Sequence, residues 1–331
     1  MWLLWILLGL IALVLVLSFV LYVIVFYARP RPGNSLDLTG KHMPQERLEG
    51  VAALIRALEA VPYERVYITS FDGLRLAARY YHVSDGAPVD ILCHGYRSIA
   101  QQDFCGGFSL LREIGHNLLL IDQRAHGYSQ GHTITFGLRE ARDCVSWTEY
   151  AIARCGPEAR VFLYGISMGA STVLIASGLD LPEQVKAIVA DCGFSSPAAV
   201  IQDVCRARRL PVKLIYPFIK LGARLFGRFD LEADSAVQAV ARSHTPTLII
   251  HGEADRFVPF PMCREIYAAC AAPKEILTVP GAGHGQSYLV DKPAYTRTVL
   301  DFLARYGGAD AVRRNSEEAP QADDPATAHR S

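Results

Sequence analysis

Gly165-Ile166-Ser167-Met168-Gly169 follows the apolar run Arg160-Val161-Phe162-Leu163-Tyr164 and opens the small-residue stretch Ala170-Ser171-Thr172-Val173-Leu174-Ile175-Ala176. The five-residue motif alone is a weak signal, because Gly and Ser are common. A strand entering it and a helix leaving it restrict the turn to one geometry. That turn is so tight that only glycine fits on either side of the serine, which is left standing above the strand end. A hydroxyl presented in this way is a candidate nucleophile.

The surrounding pattern alternates strand and helix. Glu64 to Thr69 and Leu74 to Val83 flank Ser70-Phe71-Asp72-Gly73, a hairpin signal. Short apolar strands are then expected at 89–93, 117–121, 161–164, 185–190, 247–250 and 275–279, with helices between them at, for example, 136–154, 261–272 and 293–306. Such alternation predicts a mostly parallel sheet covered by helices on both faces, with the functional loops at the carboxyl ends of the strands.

A serine hydroxyl is a poor nucleophile at neutral pH and needs a base within reach, itself oriented by an acid. His251-Gly252-Glu253-Ala254-Asp255 follows the 247–250 strand and puts Asp255 just past its end. Gly281-Ala282-Gly283-His284-Gly285 follows the next strand, so His284 lies on a glycine-rich loop. The chain order Ser167, Asp255, His284 is that of the α/β hydrolases. His284 is then the general base and acid, and Asp255 fixes its tautomer. Asp191, at the end of 185–190, is the rival acid, and Glu253 a weaker one.

The tetrahedral intermediate needs two N–H donors. The backbone of Met168, directly after the nucleophile, is expected to supply one. The backbone of Tyr96, in Cys93-His94-Gly95-Tyr96 after the first parallel strand, supplies the other. His94 is expected to brace its loop. The run Asp122-Gln123-Arg124-Ala125-His126-Gly127-Tyr128-Ser129 is likewise expected to brace neighbouring loops, with Gly127 at positive φ. Metal ligation by Asp122 and His126 has no supporting spacing. No metal and no cofactor is expected.

Together His94-Gly95, the run from Asp122 to Ser129, Gly165-x-Ser167-x-Gly169, His251-Gly252-x-x-Asp255-x-x-Val258-Pro259 and Gly283-His284 resemble the α/β-hydrolase superfamily over residues 60 to 306. They are most similar to its serine-aminopeptidase-like and monoacylglycerol-lipase-like branch, which includes membrane-anchored esterases and depalmitoylases. The resemblance implies the fold and the catalytic machinery and leaves the substrate open. One departure is Ala125, where the family's run usually reads R-G-H-G; no chemical consequence is expected.

Residues 2–27 form an unbroken apolar run with Gly9 and Ser18 its only small or weakly polar members, longer than the ~20 residues that span a bilayer. No basic residue precedes it and no A-x-A site ends it, which favours an anchor over a cleaved signal peptide. Arg29, Arg31 and Lys41 follow it, so the positive-inside tendency places the remainder on the cytoplasmic side. The eight cysteines show no metal spacing or disulfide framework and read as core filler. A net charge of zero gives no support for a nucleic-acid partner.

The expected organisation is a transmembrane anchor over 1–28, a linker and amphipathic helix over 29–60, an α/β-hydrolase domain over 61–306 and a disordered tail over 307–331. Deleting 1–28 is expected to leave a soluble active domain. Within the hydrolase domain, about 196–242 has no clear strand. It mixes Leu210, Ile215, Phe218, Ile219, Leu221 and Phe226 with Arg206, Arg208, Arg209, Lys213, Lys220, Arg224 and Arg228. It reads as a helical cap, with its apolar face either packed on the core or shaping an acyl pocket, and its basic rim on anionic headgroups. The expected activity is hydrolysis of small-molecule or lipid acyl esters or thioesters by a membrane-tethered serine hydrolase. The alternatives are a serine (amino)peptidase and a non-catalytic protein that kept the fold.

Overall fold

Each apolar run that ends in a glycine-bearing loop becomes a strand, and the strands assemble in an order that brings those loops together. The computed structural model describes residues 1–30, 32–38, 45–308 and 311–312. In chain order the elements are α1 (Trp2–Val25), α2 (Gln45–Glu59), β1 (Glu64–Thr69), β2 (Arg75–Tyr81), β3 (Val89–Cys93), α3 (Ala100–Glu113), β4 (Asn117–Asp122), α4 (Glu140–Cys155), β5 (Val161–Ile166) and α5 (Met168–Ala176). They continue with β6 (Val185–Asp191), α6 (Pro197–Ala207), α7 (Val212–Leu225), α8 (Ala236–Val240), β7 (Thr247–Gly252), α9 (Pro261–Ala269), β8 (Lys274–Val279), α10 (Ser287–Val290) and α11 (Lys292–Gly307).

The sheet order is β1-β2-β4-β3-β5-β6-β7-β8. β1 and β2 form the expected antiparallel hairpin, β2 runs antiparallel to β4, and β3 to β8 are parallel. Apolar side chains leave both faces of the parallel strands. One face packs on α4, α5, α8 and α9, with Trp147, Val173, Ile188 and Ile249 buried there. The other packs on α2, α3 and α11, through Leu58, Phe108, Phe162 and Phe302. This is the α/β-hydrolase fold, with an N-terminal apolar helix long enough to cross a membrane.

Three expectations change at the edges. The helix expected from 136 starts at Glu140, because Phe136 (φ 55°) and Gly137 (φ 98°) turn left-handed. The Glu140 carboxylate takes the N–H groups of Thr135 at 2.8 Å and Gly137 at 3.0 Å, which fixes that turn. The start of the tail expected from 307 is ordered: Ala311 is buried, and its carbonyl accepts from His116 Nε2 at 2.6 Å. Residues 313–331, like Arg31 and Lys41, lie outside the described residues.

The third change concerns the two ends of α1. Large side chains from Trp2 to Leu17 are mostly exposed, whereas Tyr22 and Phe26 are buried in a cluster with Phe136, Met168, Phe194, Ile219 and Phe229. The cap segment supplies much of that cluster, and a Cβ on Gly222 in α7 would collide with the Ser18 carbonyl. The apolar face of the cap therefore packs on the core and on α1. Beyond the helix, Ile134 N–H donates to Phe26 O at 2.8 Å and Ala28 N–H to His132 O at 2.9 Å.

The end of α1 is thus built into the domain, and removing 1–28 takes a core side chain with it. Phe26→Ala is expected to cost about 3–5 kcal/mol, as for other buried Phe truncations. Deleting residues 2–17 is expected to leave stability unchanged. Denaturant melts of the detergent-solubilised protein check both.

Candidate active site

Ser167 sits between β5 and α5 with φ 57° and ψ −117°, a left-handed conformation that non-glycine residues rarely adopt. Its N–H donates to Asp191 O at 2.9 Å, which fixes the turn to the neighbouring strand. The flanking glycines are required by close packing. A Cβ on Gly165 would overlap the Gly169 carbonyl, and one on Gly169 would overlap the Cys93 carbonyl at the end of β3. That contact brings the loop after β3 against the serine.

The structure brings Ser167, Asp255 and His284 within hydrogen-bond reach. Ser167 Oγ donates to His284 Nε2 at 2.9 Å, and His284 Nδ1 donates to Asp255 Oδ2 at 2.7 Å. The other Asp255 oxygen accepts from the N–H groups of Phe257 at 2.8 Å and Val258 at 2.9 Å. Cys192, Asp255 and His284 have donor atoms within 4.8 Å of one another, but every one of those Asp255 and His284 atoms already has a partner. The rival acids lie elsewhere. Glu253 accepts from Thr278 Oγ1 at 2.8 Å. Asp191 accepts from Ser287 Oγ at 3.2 Å, and burial pushes its carboxyl up to about 6.

A second histidine shares the carboxylate. His251 Nε2 donates to Val258 O at 3.0 Å and lies 3.4 Å from Asp255 Oδ2. Burial opposes its charge, but the carboxylate outweighs burial and raises its pKa to about 10. Burial likewise opposes ionisation of Asp255, yet hydrogen bonds from His251 and His284 hold it well below the usual carboxylate range.

These shifts make stability pH-dependent at both ends. The raised His251 contributes stability that is fully present below its unfolded value of about 6.5. That contribution is lost as pH rises through about 10. The depressed Asp255 contributes stability present above about pH 4 and lost as pH falls below it. A melting temperature that declines between about pH 7 and about pH 10, and a flatter profile in His251→Gln, are expected in thermal scans.

The loops around Ser167 are braced by neutral histidines. His94 Nδ1 donates to Gly95 O at 2.8 Å and its Nε2 accepts the Gln123 N–H at 3.1 Å. His126 Nδ1 donates to Arg124 O at 2.9 Å and its Nε2 accepts the Arg97 N–H at 3.0 Å. Burial lowers the two pKa values to about 4 and about 3. Asp103, which the sequence did not mark, accepts from Gly95 N–H and Ser98 Oγ, each at 2.7 Å. Gly127 has φ 53° as expected, and Ala125, two residues earlier, also turns left-handed with φ 63°. The R-G-H-G glycine therefore serves a left-handed turn, and alanine adopts it here at some strain.

The N–H groups of Tyr96 and Met168 find no acceptor among the described residues. They belong to the two loops that meet at Ser167: an added Cβ on Gly95, next to Tyr96, would lie 3.4 Å from Ser167 Cβ.

Beside Ser167 opens a cavity of about 440 Å³. Its apolar wall comes from α2, α3 and α11, through Val51, Phe104, Leu110, Leu111 and Val299, and its polar wall includes Asp191 and Tyr164. Tyr164 Oη is buried and has no partner among the described residues. No residue of 196–242 lines it, so the cap does not shape this pocket. Gly106 and Tyr288 also line it, packed so closely that any Cβ on Gly106 would collide with the Tyr288 ring. Nor is the cap uniformly cationic: Arg206 pairs with Asp203, Lys220 with Glu232 and Arg224 with Asp230.

Comparison with known proteins agrees with this fold. The model of the prolyl oligopeptidase family matches residues 122–310. The uncharacterized protein YqkD of Bacillus subtilis (strain 168) is 26% identical over 226 residues, which is 67% of this chain and 74% of that protein. An uncharacterized membrane protein of Saccharomyces cerevisiae is 25% identical over 256 residues, 75% of this chain and 81% of that one. Among solved structures, the Pyrococcus furiosus esterase Pf2001 superposes with a TM-score of 0.62 at 22% identity, covering 85% of this chain and 100% of that one. The Pyrococcus horikoshii acylaminoacyl peptidase gives 0.54 at 16%, covering 81% of this chain and 44% of that one. At such identities the structural likeness carries the fold.

Proposed function

The chain is a serine hydrolase that belongs to the prolyl oligopeptidase family, and from that premise we propose that it cleaves carboxylic ester or thioester bonds through an acyl-enzyme on Ser167 while tethered to a membrane by α1. The observation that carries this is His284, held between Ser167 Oγ at 2.9 Å and Asp255 at 2.7 Å.

Ser167 Oγ attacks the acyl carbon as His284 Nε2 takes its proton. Asp255 keeps the second imidazole proton on Nδ1 and faces the charge that forms. The new oxyanion accepts from the N–H groups of Tyr96 and Met168, which have no other acceptor among the described residues. His284 then protonates the leaving alkoxide or thiolate, and water repeats the sequence on the acyl-enzyme.

An acyl substrate is supported by the apolar α3 wall of the cavity, whose volume suits a small ligand. A peptide substrate is the second reading. The family match favours it, and so does Asp191 in the cavity, a carboxylate that can meet a substrate amine. The fold neighbours include an esterase and an acylaminoacyl peptidase, so both chemistries occur on this scaffold. Measured kcat/KM on acyl p-nitrophenyl esters should exceed that on aminoacyl-naphthylamides at least tenfold; the reverse order makes the enzyme a peptidase.

Tethering is supported by the exposed apolar surface of α1 from Trp2 to Leu17, and Arg29 after it favours a cytoplasmic catalytic domain. The cap cations Arg208, Arg209 and Lys213, which form no ion pair among the described residues, suit an anionic membrane surface together with exposed Leu210 and Leu214.

A further inference from the structure

We propose that the last turn of α1 is a positioning element of the oxyanion site, acting through the side chains of Tyr96 and Arg97. The proposal rests on the Tyr96 N–H serving as an oxyanion donor. A helix end leaves its final carbonyls without partners. At the end of α1 these carbonyls are met by the loop after β3. Tyr96 Oη donates to Val25 O at 2.8 Å, and Arg97 Nη2 donates to Ile24 O at 2.9 Å and Tyr27 O at 3.0 Å.

The ties continue in the rings. Tyr96 stacks on Phe136 with centroids 5.0 Å apart, and Phe136 meets Phe26 of the anchor edge-on at 5.8 Å. The helix end is itself fixed to the domain by Tyr22 Oη and Thr133 Oγ1 at 2.7 Å and by the Phe26 and Ala28 backbone bonds.

These contacts act on a strained segment. Arg97 has φ 52°, a left-handed conformation that an arginine holds only where its surroundings impose it. The Arg97 N–H is taken by His126 Nε2 at 3.0 Å and the Gly95 N–H by Asp103 at 2.7 Å. The Tyr96 N–H lies between these two and has no acceptor among the described residues. Asp103 and His126 hold the loop from the domain side, and α1 holds it from the other. Loosening the α1 side lets the Tyr96 peptide rotate, and a hydrogen bond weakens steeply with misalignment. The loss falls on the transition state, where the oxyanion exists, and leaves substrate binding in the ground state little changed.

The test uses the full chain in detergent micelles, comparing wild type with Arg97→Met, Tyr96→Phe and the double variant. Tyr96→Phe removes one oxygen and is not expected to impair folding. We expect kcat of the double variant to fall at least tenfold with KM within twofold. Affinity for an alkylboronic acid, which forms a tetrahedral adduct on the nucleophile, should fall in parallel, and Arg97→Lys should recover part of kcat. Unchanged kcat and boronate affinity overturn the proposal. A loss of kcat that follows melting temperature alone, with boronate affinity unmoved, overturns it too. Ser167→Ala separates the two levels. Turnover surviving in that variant overturns the nucleophile itself, whereas its abolition beside an unaffected double variant overturns only the role of α1.

Discussion

Ser167→Ala should lower kcat/KM toward esters by about 10⁴- to 10⁶-fold, the range seen when a hydrolase nucleophile is removed. The substitution deletes one atom from a turn that other contacts hold in place. The Ser167 N–H still reaches Asp191 O at 2.9 Å, and Gly165 and Gly169 still allow the close passage beside Cys93. The melting temperature should therefore stay within a few degrees of wild type. His284 Nε2 loses its donor, but this ring is partly exposed and water can replace the hydroxyl. A large kinetic loss without a stability loss is the signature of a nucleophile, and a steady-state assay beside a thermal melt reads both. Comparable turnover in the two proteins would place the chemistry elsewhere.

Asp255→Asn should cost about 10³- to 10⁴-fold in kcat, for a reason that geometry makes specific. One Asp255 oxygen accepts two backbone N–H groups, from Phe257 and Val258. An asparagine must put its carbonyl oxygen there, because its NH₂ would face two donors. The NH₂ then faces His284 Nδ1, which becomes an acceptor and moves the ring proton to Nε2. Ser167 Oγ–H then meets a donor where it needs a base. The same NH₂ faces His251 Nε2, 3.4 Å from that carboxylate oxygen, so some stability is lost with the charge pair. The pH–rate profile separates these effects: a tautomer fault depresses the rate at every pH, because the two neutral tautomers carry the same number of protons, whereas lost stability shows in the melting temperature.

Much of the fold was legible because its punctuation is local. Strand ends are marked by Gly95, Gly165, Gly252 and Gly283, and β3, β5 and β7 end within two residues of where apolarity alone places them. The order Ser167, Asp255, His284 was legible for the same reason, since each follows a strand. Periodicity does not encode which apolar surface an amphipathic helix meets. The stripe on α7 reads equally well as the roof of a pocket or as a seat for another helix, and it seats Ser18 and Tyr22 of α1. Tyr22 and Phe26 looked like any residues of a membrane span, because hydrophobicity does not distinguish lipid from core. Asp103 lacked a signal as well. Its role depends on α3 returning beside the loop after β3, a tertiary fact. His251 stood in the sequence at its strand end, but its tie to Asp255 needs the tight turn after β7, in which Asp255 N–H donates to Gly252 O at 3.2 Å.

The most direct measurement is intact-mass spectrometry of the full-length enzyme quenched early in turnover of a p-nitrophenyl acyl ester, followed by peptide mapping. One acyl group per chain is expected, on the peptide carrying Ser167, decaying as hydrolysis completes and absent from Ser167→Ala. An acyl group on another residue, or steady turnover with no adduct at any time, would contradict an acyl-enzyme on Ser167.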